Sequence, residues 1–284
     1  MSTTRSGPAA GGVVRRLAPY VGIAIIVVYC LAPFYWMVVS SFRRTSDIFD
    51  TSPLPSPWSW ENYEAVFSGE NDFGRALLNS LLVAGVTTVV TVAVATLAAY
   101  ALARLEFRFK NAVLAVVIAT SMFPGISLLV PLLKLFTDIG WINTYQSMIV
   151  PNLSFALPLA IWYLTAFFRQ LPYELEEAAR VDGCTAGQAF RKVILPIAVP
   201  GVFTTAIIVF VVAWNEFIIA LTMVNDPAMQ PVTVRISQFV GEAMHDSPFG
   251  TRMAAGVIAT LPLVIAVLLF QRRIVAGLTS GGVK

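Results

Sequence analysis

Few side chains in this sequence could do covalent chemistry. His245 is the one histidine, beside Asp246 in a polar loop, where a solvated imidazole is the expected state. Cys30 lies in an apolar run and Cys184 in a charged one, with no metal-ligand spacing. Both read as small space-filling residues. No stretch reads G-x-x-x-x-G-K-[ST], H-E-x-x-H or G-x-S-x-G, so the familiar nucleotide loop, zinc helix and serine elbow are missing. The sequence supports no catalytic residue, metal or cofactor on this chain. Asn215 and Glu216 form the one strongly polar pair deep in an apolar segment, and an ionisable group in lipid is by default a functional candidate.

The other informative residues form a charged stretch between two long apolar ones, from Arg169 to Val199. Pro172 can open a helix without losing a hydrogen bond. Glu174, Glu176 and Glu177 fall where the helix dipole favours anions, and Glu176 precedes Arg180 by four residues in the favourable order. Leu175, Ala178, Ala179 and Val181 give a small-residue apolar stripe. Gly183 supplies a permissive turn. Thr185 with Gln188 reads as a capping box for a second helix, Ala186 to Val193, that stops before Pro196. The predicted product is a helix–turn–helix knob on which a protein partner could dock. The competing reading, an amphipathic helix on the inner leaflet, is opposed by the three early glutamates, because that leaflet attracts basic helices.

The elements that position this knob are membrane spans. The chain has 284 residues, 57% hydrophobic and 12% charged, about half the charge of a soluble domain. Six segments reach the ~20 apolar residues needed to cross a bilayer: Leu17–Ser41, Leu77–Leu102, Ala112–Leu133, Ser147–Phe168, Pro200–Met223 and Met253–Phe270. Proline at 33, 124, 158 and 262 falls inside spans, which membrane helices tolerate. The first span is too long for a signal h-region and reads as a retained helix. Placing the N-terminus in the cytoplasm puts thirteen of the 19 Lys and Arg residues inside, so the charge bias predicts both termini and the charged loop on the cytoplasmic side. The fold class is therefore all-α and polytopic. Residues 1–16 are a cytoplasmic tail, 17–270 a six-helix domain, 43–74 an outside loop, 169–199 an inside loop, and 271–284 a second cytoplasmic tail. The outside loop carries Trp58, Trp60 and Tyr63, suited to the headgroup region or to a bound partner. The small net charge gives no support to nucleic-acid binding.

Glu177-Ala178-Ala179, three residues, Gly183, nine residues and Val193-Ile194-Leu195-Pro196 resemble the EAA loop of ATP-binding-cassette importer permeases, E-A-A-x3-G-x9-I-x-L-P. Val193 replaces isoleucine. Asp182 before the glycine is similar to the carbohydrate branch, and Cys184 stands where that branch usually has alanine. Trp214-Asn215-Glu216-Phe217, Met122-Phe123-Pro124 with Pro131, and the C-terminal run from Phe270 to Lys284 resemble the permease family that includes the maltose importer. The C-terminal run looks most like trehalose-importing members from actinobacteria.

The resemblance implies a MetI-like importer-permease fold in a bacterial inner membrane. The implied partners are a second related permease, two ATPase subunits that hold ATP and Mg, an extracellular sugar-binding lipoprotein, the lipid bilayer and a sugar substrate. It implies that Glu177, Ala178, Ala179, Asp182, Gly183, Phe190, Leu195 and Pro196 form the ATPase-coupling loop. Trp214, Asn215 and Glu216 become candidates for the sugar path, or for a polar clamp against the second permease. Asn79, Ser80 and Asn152 are weaker candidates, read as helix-packing contacts. Leu278, Thr279 and Lys284 become candidates for ATPase contact, against a flexible glycine-rich tail. Two other classes stay open on the residues alone: an ion-coupled secondary transporter, and a non-transporting membrane scaffold.

Overall fold

The computed structural model describes residues 10–68, 71–239 and 248–279, with side chains described over 19–68, 71–239 and 248–271. His245 and Lys284 lie outside them. Every regular element among the described residues is helical. Five helices are long and apolar enough to cross a membrane, and a bent pair makes a sixth candidate. The chain divides into two compact units, Met1–Ser68 with Val240–Ile258, and Gly69–Phe239 with Ala259–Lys284.

The first unit contains α1 (Ala10–Ser41), α2 (Glu61–Phe67) and the start of α12 (Phe249–Thr279). The last carbonyls of a helix have no partner within it. Here Asn62 supplies one, donating from Nδ2 to the carbonyls of Ser41 at 3.1 Å and Arg43 at 2.6 Å. Arg43 is buried, donates to the Ser52 carbonyl and lies 5.0 Å from the Trp36 ring. Asp50 accepts from the Ser52 hydroxyl and amide, which holds its carboxyl below the usual carboxylate range. Phe42 gathers Trp58, Trp60 and Tyr63 at ring distances of 4.9–5.1 Å, so the aromatic cluster is a folded plate with Trp58 and Trp60 still exposed. Gly250 sits so close to Asn62 that a Cβ there would lie 2.5 Å from its Oδ1.

The second unit is built around α3 (Phe73–Arg104), α6 (Tyr145–Gln170) and α9 (Leu195–Trp214). Along α3 the buried positions Ala76, Ser80, Ala84, Thr87, Thr91, Ala95 and Ala99 recur at helical spacing and are small. Small residues let helix backbones approach closely in lipid, where apolar burial alone drives little association. Ala160, Leu164, Phe168 and Ala198 complete the core at one end. Val83, Phe136, Met148 and Met223 complete it at the other.

Three expected elements differ. The third span, expected as continuous from Ala112 to Leu133, is broken into α4 (Lys110–Ser121) and a Gly125–Leu128 turn leading into α5 (Leu129–Asp138), bent by 82°. Pro124 has no N–H to donate and disfavours helical geometry at Phe123. The fifth span, expected over Pro200–Met223, starts earlier and stops at Trp214. After Asn215 the chain forms the short α10 (Ile218–Met223), a turn at Pro227–Met229 and α11 (Val232–Ser237). The second helix of the charged loop does not end before Pro196. It passes from α8 (Ala186–Ala189) through a π-helical stretch, Phe190–Ile194, into α9. The Leu195 amide bonds back to the Phe190 carbonyl, and this wider register carries the helix past the missing amide of Pro196.

Close packing of α9 on α6 depends on Gly201, where a Cβ would fall 2.6 Å from Cγ of Phe167. Gly201→Ala is expected to lower the thermal midpoint of the detergent-solubilised protein, at a cost of about 1–3 kcal/mol for overpacking. An unchanged midpoint would contradict this account of the interface.

Candidate functional site

The charged segment is attached to the membrane helices by its least expected residue. The helix α7 (Glu174–Val181) begins two residues after Pro172. Glu176 is 7% exposed. Its carboxylate accepts from the Tyr100 hydroxyl at 3.0 Å and from Arg180 at 2.9 Å. A buried carboxylate is tolerated when hydrogen-bonded and paired, and here the Tyr100 bond runs to the C-terminal end of α3, 76 residues away in sequence. Beside it, Arg104 donates to the Leu171 carbonyl at 2.7 Å and lies 4.3 Å from the Tyr173 ring. Tyr173 in turn donates to the Ala103 carbonyl at 3.1 Å. Phe190 stacks on Tyr100 at 4.5 Å. Both sides of the loop therefore meet on one turn of α3.

The turn itself follows from local sequence. Gly183 has φ +84°, its amide donates to the Arg180 carbonyl at 3.0 Å, and the Cys184 amide donates to the Ala179 carbonyl at 2.9 Å. That is a Schellman arrangement, with glycine at the left-handed position. Thr185 and Gln188 form the capping box, with bonds of 2.9 and 3.3 Å. Facing the other way, Glu174, Glu177, Ala178 and Val181 are exposed along one side of α7, and Val181 is 87% exposed. The apolar stripe thus splits: Leu175 and Ala179 turn inward with Glu176, while Ala178 and Val181 turn outward between acids. Glu177, Asp182 and Pro196 are exposed, and Leu195 is half-buried.

Trp214, Asn215 and Glu216 sit at the break after α9. Trp214 is buried and packs on Phe210 at 5.6 Å. Asn215 is exposed and bonds the Val211 carbonyl at 2.8 Å. Glu216 is half-buried, and its two oxygens accept from the amides of Ile219 at 2.7 Å and Ala220 at 3.1 Å. It therefore caps α10, and does not project from the middle of a span. A small cleft joins it to Ser80 and Asn152. Asn79 and Ser80 tie α3 to the segment beyond α10. Asn79 donates to the carbonyls of Ala228 and Gln230, each at 3.0 Å, and accepts from Tyr145 at 2.8 Å. Ser80 accepts from the Val232 amide at 2.9 Å. Asn143 holds the same segment by accepting from the amides of Asn225 and Asp226. Asn152 bonds only within its own helix, to the Met148 carbonyl. Leu278 and Thr279 lie on the α12 backbone, and their side chains lie outside the described residues. Cys30 and Cys184 are free thiols. Among the described residues no cluster of His, Cys, Asp and Glu could hold a metal.

Residues 91–280 match the family described as binding-protein-dependent transport system inner membrane component. The chain belongs to this family. It is 44% identical to the trehalose transport system permease protein SugB of Mycobacterium tuberculosis, over 92% of this chain and 94% of that protein. It is 40% identical to the trehalose/maltose transport system permease protein MalG of Thermococcus litoralis, over 96% and 98%. A bacterial ABC transporter involved in import of the acidic polysaccharide alginate contains a chain of the same fold, with TM-score 0.76, 19% identity and coverage of 94% and 99%. The expected all-helical importer-permease fold and multi-pass inner-membrane placement are thus those of the chain.

Tyr100, Arg104 and Tyr173 were not singled out from sequence, because their partners lie in distant segments. Glu176→Ala is expected to cost about 1–3 kcal/mol by leaving the Tyr100 hydroxyl unpaired, read as roughly five- to hundredfold faster amide exchange over Glu174–Val181. Glu176→Gln, which keeps an acceptor, should give a smaller increase. Unaltered exchange in both variants would contradict the clamp.

Proposed function

We propose that this chain is one of two transmembrane permease subunits of an ATP-binding-cassette sugar importer. In this reading the segment from Arg169 to Val199 is a cytoplasmic coupling loop seated on one of two ATPase subunits. Those subunits bind ATP and Mg and perform the hydrolysis, and a sugar-binding lipoprotein delivers substrate from outside. The single observation that carries the reading is the exposed face of Glu174, Glu177, Ala178 and Val181 on a segment whose inner side is clamped to α3. An 87% exposed valine beside an exposed alanine, rimmed by carboxylates, suits a partner groove with an apolar floor and basic edges. Stiffness is built in on one side by the Schellman turn and capping box, and on the other by helical continuity into α9. Movement of the loop by the ATPases would therefore reach the membrane helices as a rigid displacement.

The charge bias supports a cytoplasmic N-terminus and a cytoplasmic C-terminal tail, whose Leu278, Thr279 and Lys284 are a second candidate ATPase contact. Sugar is the proposed substrate class because the relatives named above are sugar permeases, and trehalose is the first sugar to test. Residues Trp214 to Glu216 border the sugar path in this reading mainly as structure: Glu216 caps α10, and Asn215 is the exposed member. An ion-coupled carrier draws less support, because the carboxylate on which it would depend is held by backbone amides.

Gly183→Pro is the direct test. Proline cannot adopt φ +84°, and it removes the amide that bonds Arg180. The assembled transporter carrying it should insert into the membrane at the normal level, yet lose uptake of radiolabelled trehalose and sugar-stimulated ATP hydrolysis in proteoliposomes. Normal values for both in a complex that transports trehalose would sink the coupling role.

A further inference from the structure

One helix of the second unit carries polar pins at both ends. At one end Tyr100 and Arg104 bind the charged loop. At the other, Asn79 and Ser80 bind the 224–239 segment through the carbonyls of Ala228 and Gln230 and the amide of Val232. The same segment is packed below by Met223 and Val234 against Val83. It is further fastened at the helix start by Arg235, which donates to the Asn71 carbonyl at 2.7 Å. Between the pins α3 is unbroken from Phe73 to Arg104 and contains no proline. The third span is bent at Pro124, and the fifth passes a π-helical stretch and two prolines and ends at Trp214. Helix α6 also runs from the Asn143 contact with this segment to the loop, but it carries Pro151 and Pro158; α3 makes the connection with neither a break nor a proline.

Helix α3 has 32 residues, so at 1.5 Å per residue it is about 48 Å long, against a hydrocarbon core of about 30 Å. The outermost pins, Asn79 and Arg104, are about 38 Å apart along the helix, more than that thickness. Buried polar bonds there are directional and costly to leave unmade, so each end is held in register and not merely packed. Thr87, Thr91 and Ala95 keep the intervening face narrow and buried, which allows α6 and α9 to follow the helix closely.

We propose that α3 is a connecting rod, in which Tyr100 and Arg104 take up movement of the coupling loop and Asn79 and Ser80 impose it on the 224–239 segment. The rod rests on the coupling role proposed above. These four are positioning residues: none is asked to touch sugar or nucleotide. The segment they move would form part of the outer mouth, so its exposure would change with the nucleotide state of the ATPases.

The test uses the whole transporter in proteoliposomes, with Cys30 and Cys184 replaced by alanine and Asn225→Cys as reporter in the exposed part of the segment. A membrane-impermeant maleimide is applied, with and without MgATP trapped by vanadate. In the parent complex the labelling rate should change on trapping. Tyr100→Phe, which keeps the ring stacking on Phe190, and Asn79→Ala should each reduce that change by about fivefold. The two sites are about 32 Å apart along the helix, so unconnected structural effects would multiply in the double variant. Action in series leaves the double variant no worse than the more severe single one. Ser80→Ala, which removes only the acceptor of the Val232 amide, replaces Asn79→Ala if that variant fails to assemble. A parent-sized change in either single variant, multiplying effects, or no change in the parent would overturn the rod. Gly183→Pro separates the two ideas. If it abolishes the change while Tyr100→Phe and Asn79→Ala do not reduce it, the rod fails and coupling through the loop stands. If it leaves the change intact, the coupling role itself fails.

Discussion

A buried carboxylate holds the charged segment in place. Without the Tyr100 hydroxyl and the Arg180 guanidinium, Glu176 would be a buried carboxyl group with little water and no partner, a costly state. Its burial therefore fixes the rotation of α7. Once Glu176 points inward, 100° per residue turns Glu174, Glu177, Ala178 and Val181 outward, as the exposures show. Arg104 and Tyr173 fix the entry to the helix, and Gly183 with the capping box fixes its exit. The outward face is then set by what the inward face must bury.

The same requirement explains the far end of the second unit. Helix breaks release backbone groups that water cannot satisfy in lipid, so side chains must. Where α9 stops at Trp214, Glu216 takes two amides of α10 and Thr233 donates to the Glu216 carbonyl at 2.8 Å. Where the chain turns at Pro227–Met229, Asn79 of α3 donates to the carbonyls of Ala228 and Gln230, and Asp226 caps the turn itself by accepting from the Ala228 amide. Glu216 and Asn79 thus bond backbone groups that no helix partners at these breaks.

Much of the fold was legible because the signals are local. Apolar length located the spans: Leu77–Leu102 and Ser147–Phe168 end within four residues of α3 and α6, while α1 starts seven residues before its expected span and α12 runs nine residues past its own. The capping box and the glycine turn were legible for the same reason: each involves groups within five residues of one another. The third span misled because hydropathy averages across Met122-Phe123-Pro124, while the bend depends on one missing amide and its neighbour's backbone. The apolar stripe of α7 reads as one face in the sequence, but a partner on α3 drew in Glu176, so Leu175 and Ala179 turned inward with it while Ala178 and Val181 stayed outward. No sequence rule pairs Tyr100 with Glu176, because the two are 76 residues apart and meet only through the packing of α3 on α6.

Pro196 shows how far one local shift can propagate. A proline at that position in a regular helix would leave the Lys192 carbonyl unbonded and strain the preceding turn, so the charged loop would end in a hinge before α9. The π-helical stretch inserts one extra residue into the register at Phe190–Ile194. That rotation brings Phe190 onto Tyr100, 4.5 Å between rings, and buries Ile194 among the helices. The chain thereby crosses the proline without a hinge, and the ring that marks the start of the widened turn rests on the residue that also binds Glu176. Loop, span five and α3 share that one contact point, so a displacement of the loop cannot be absorbed by bending at Pro196 alone.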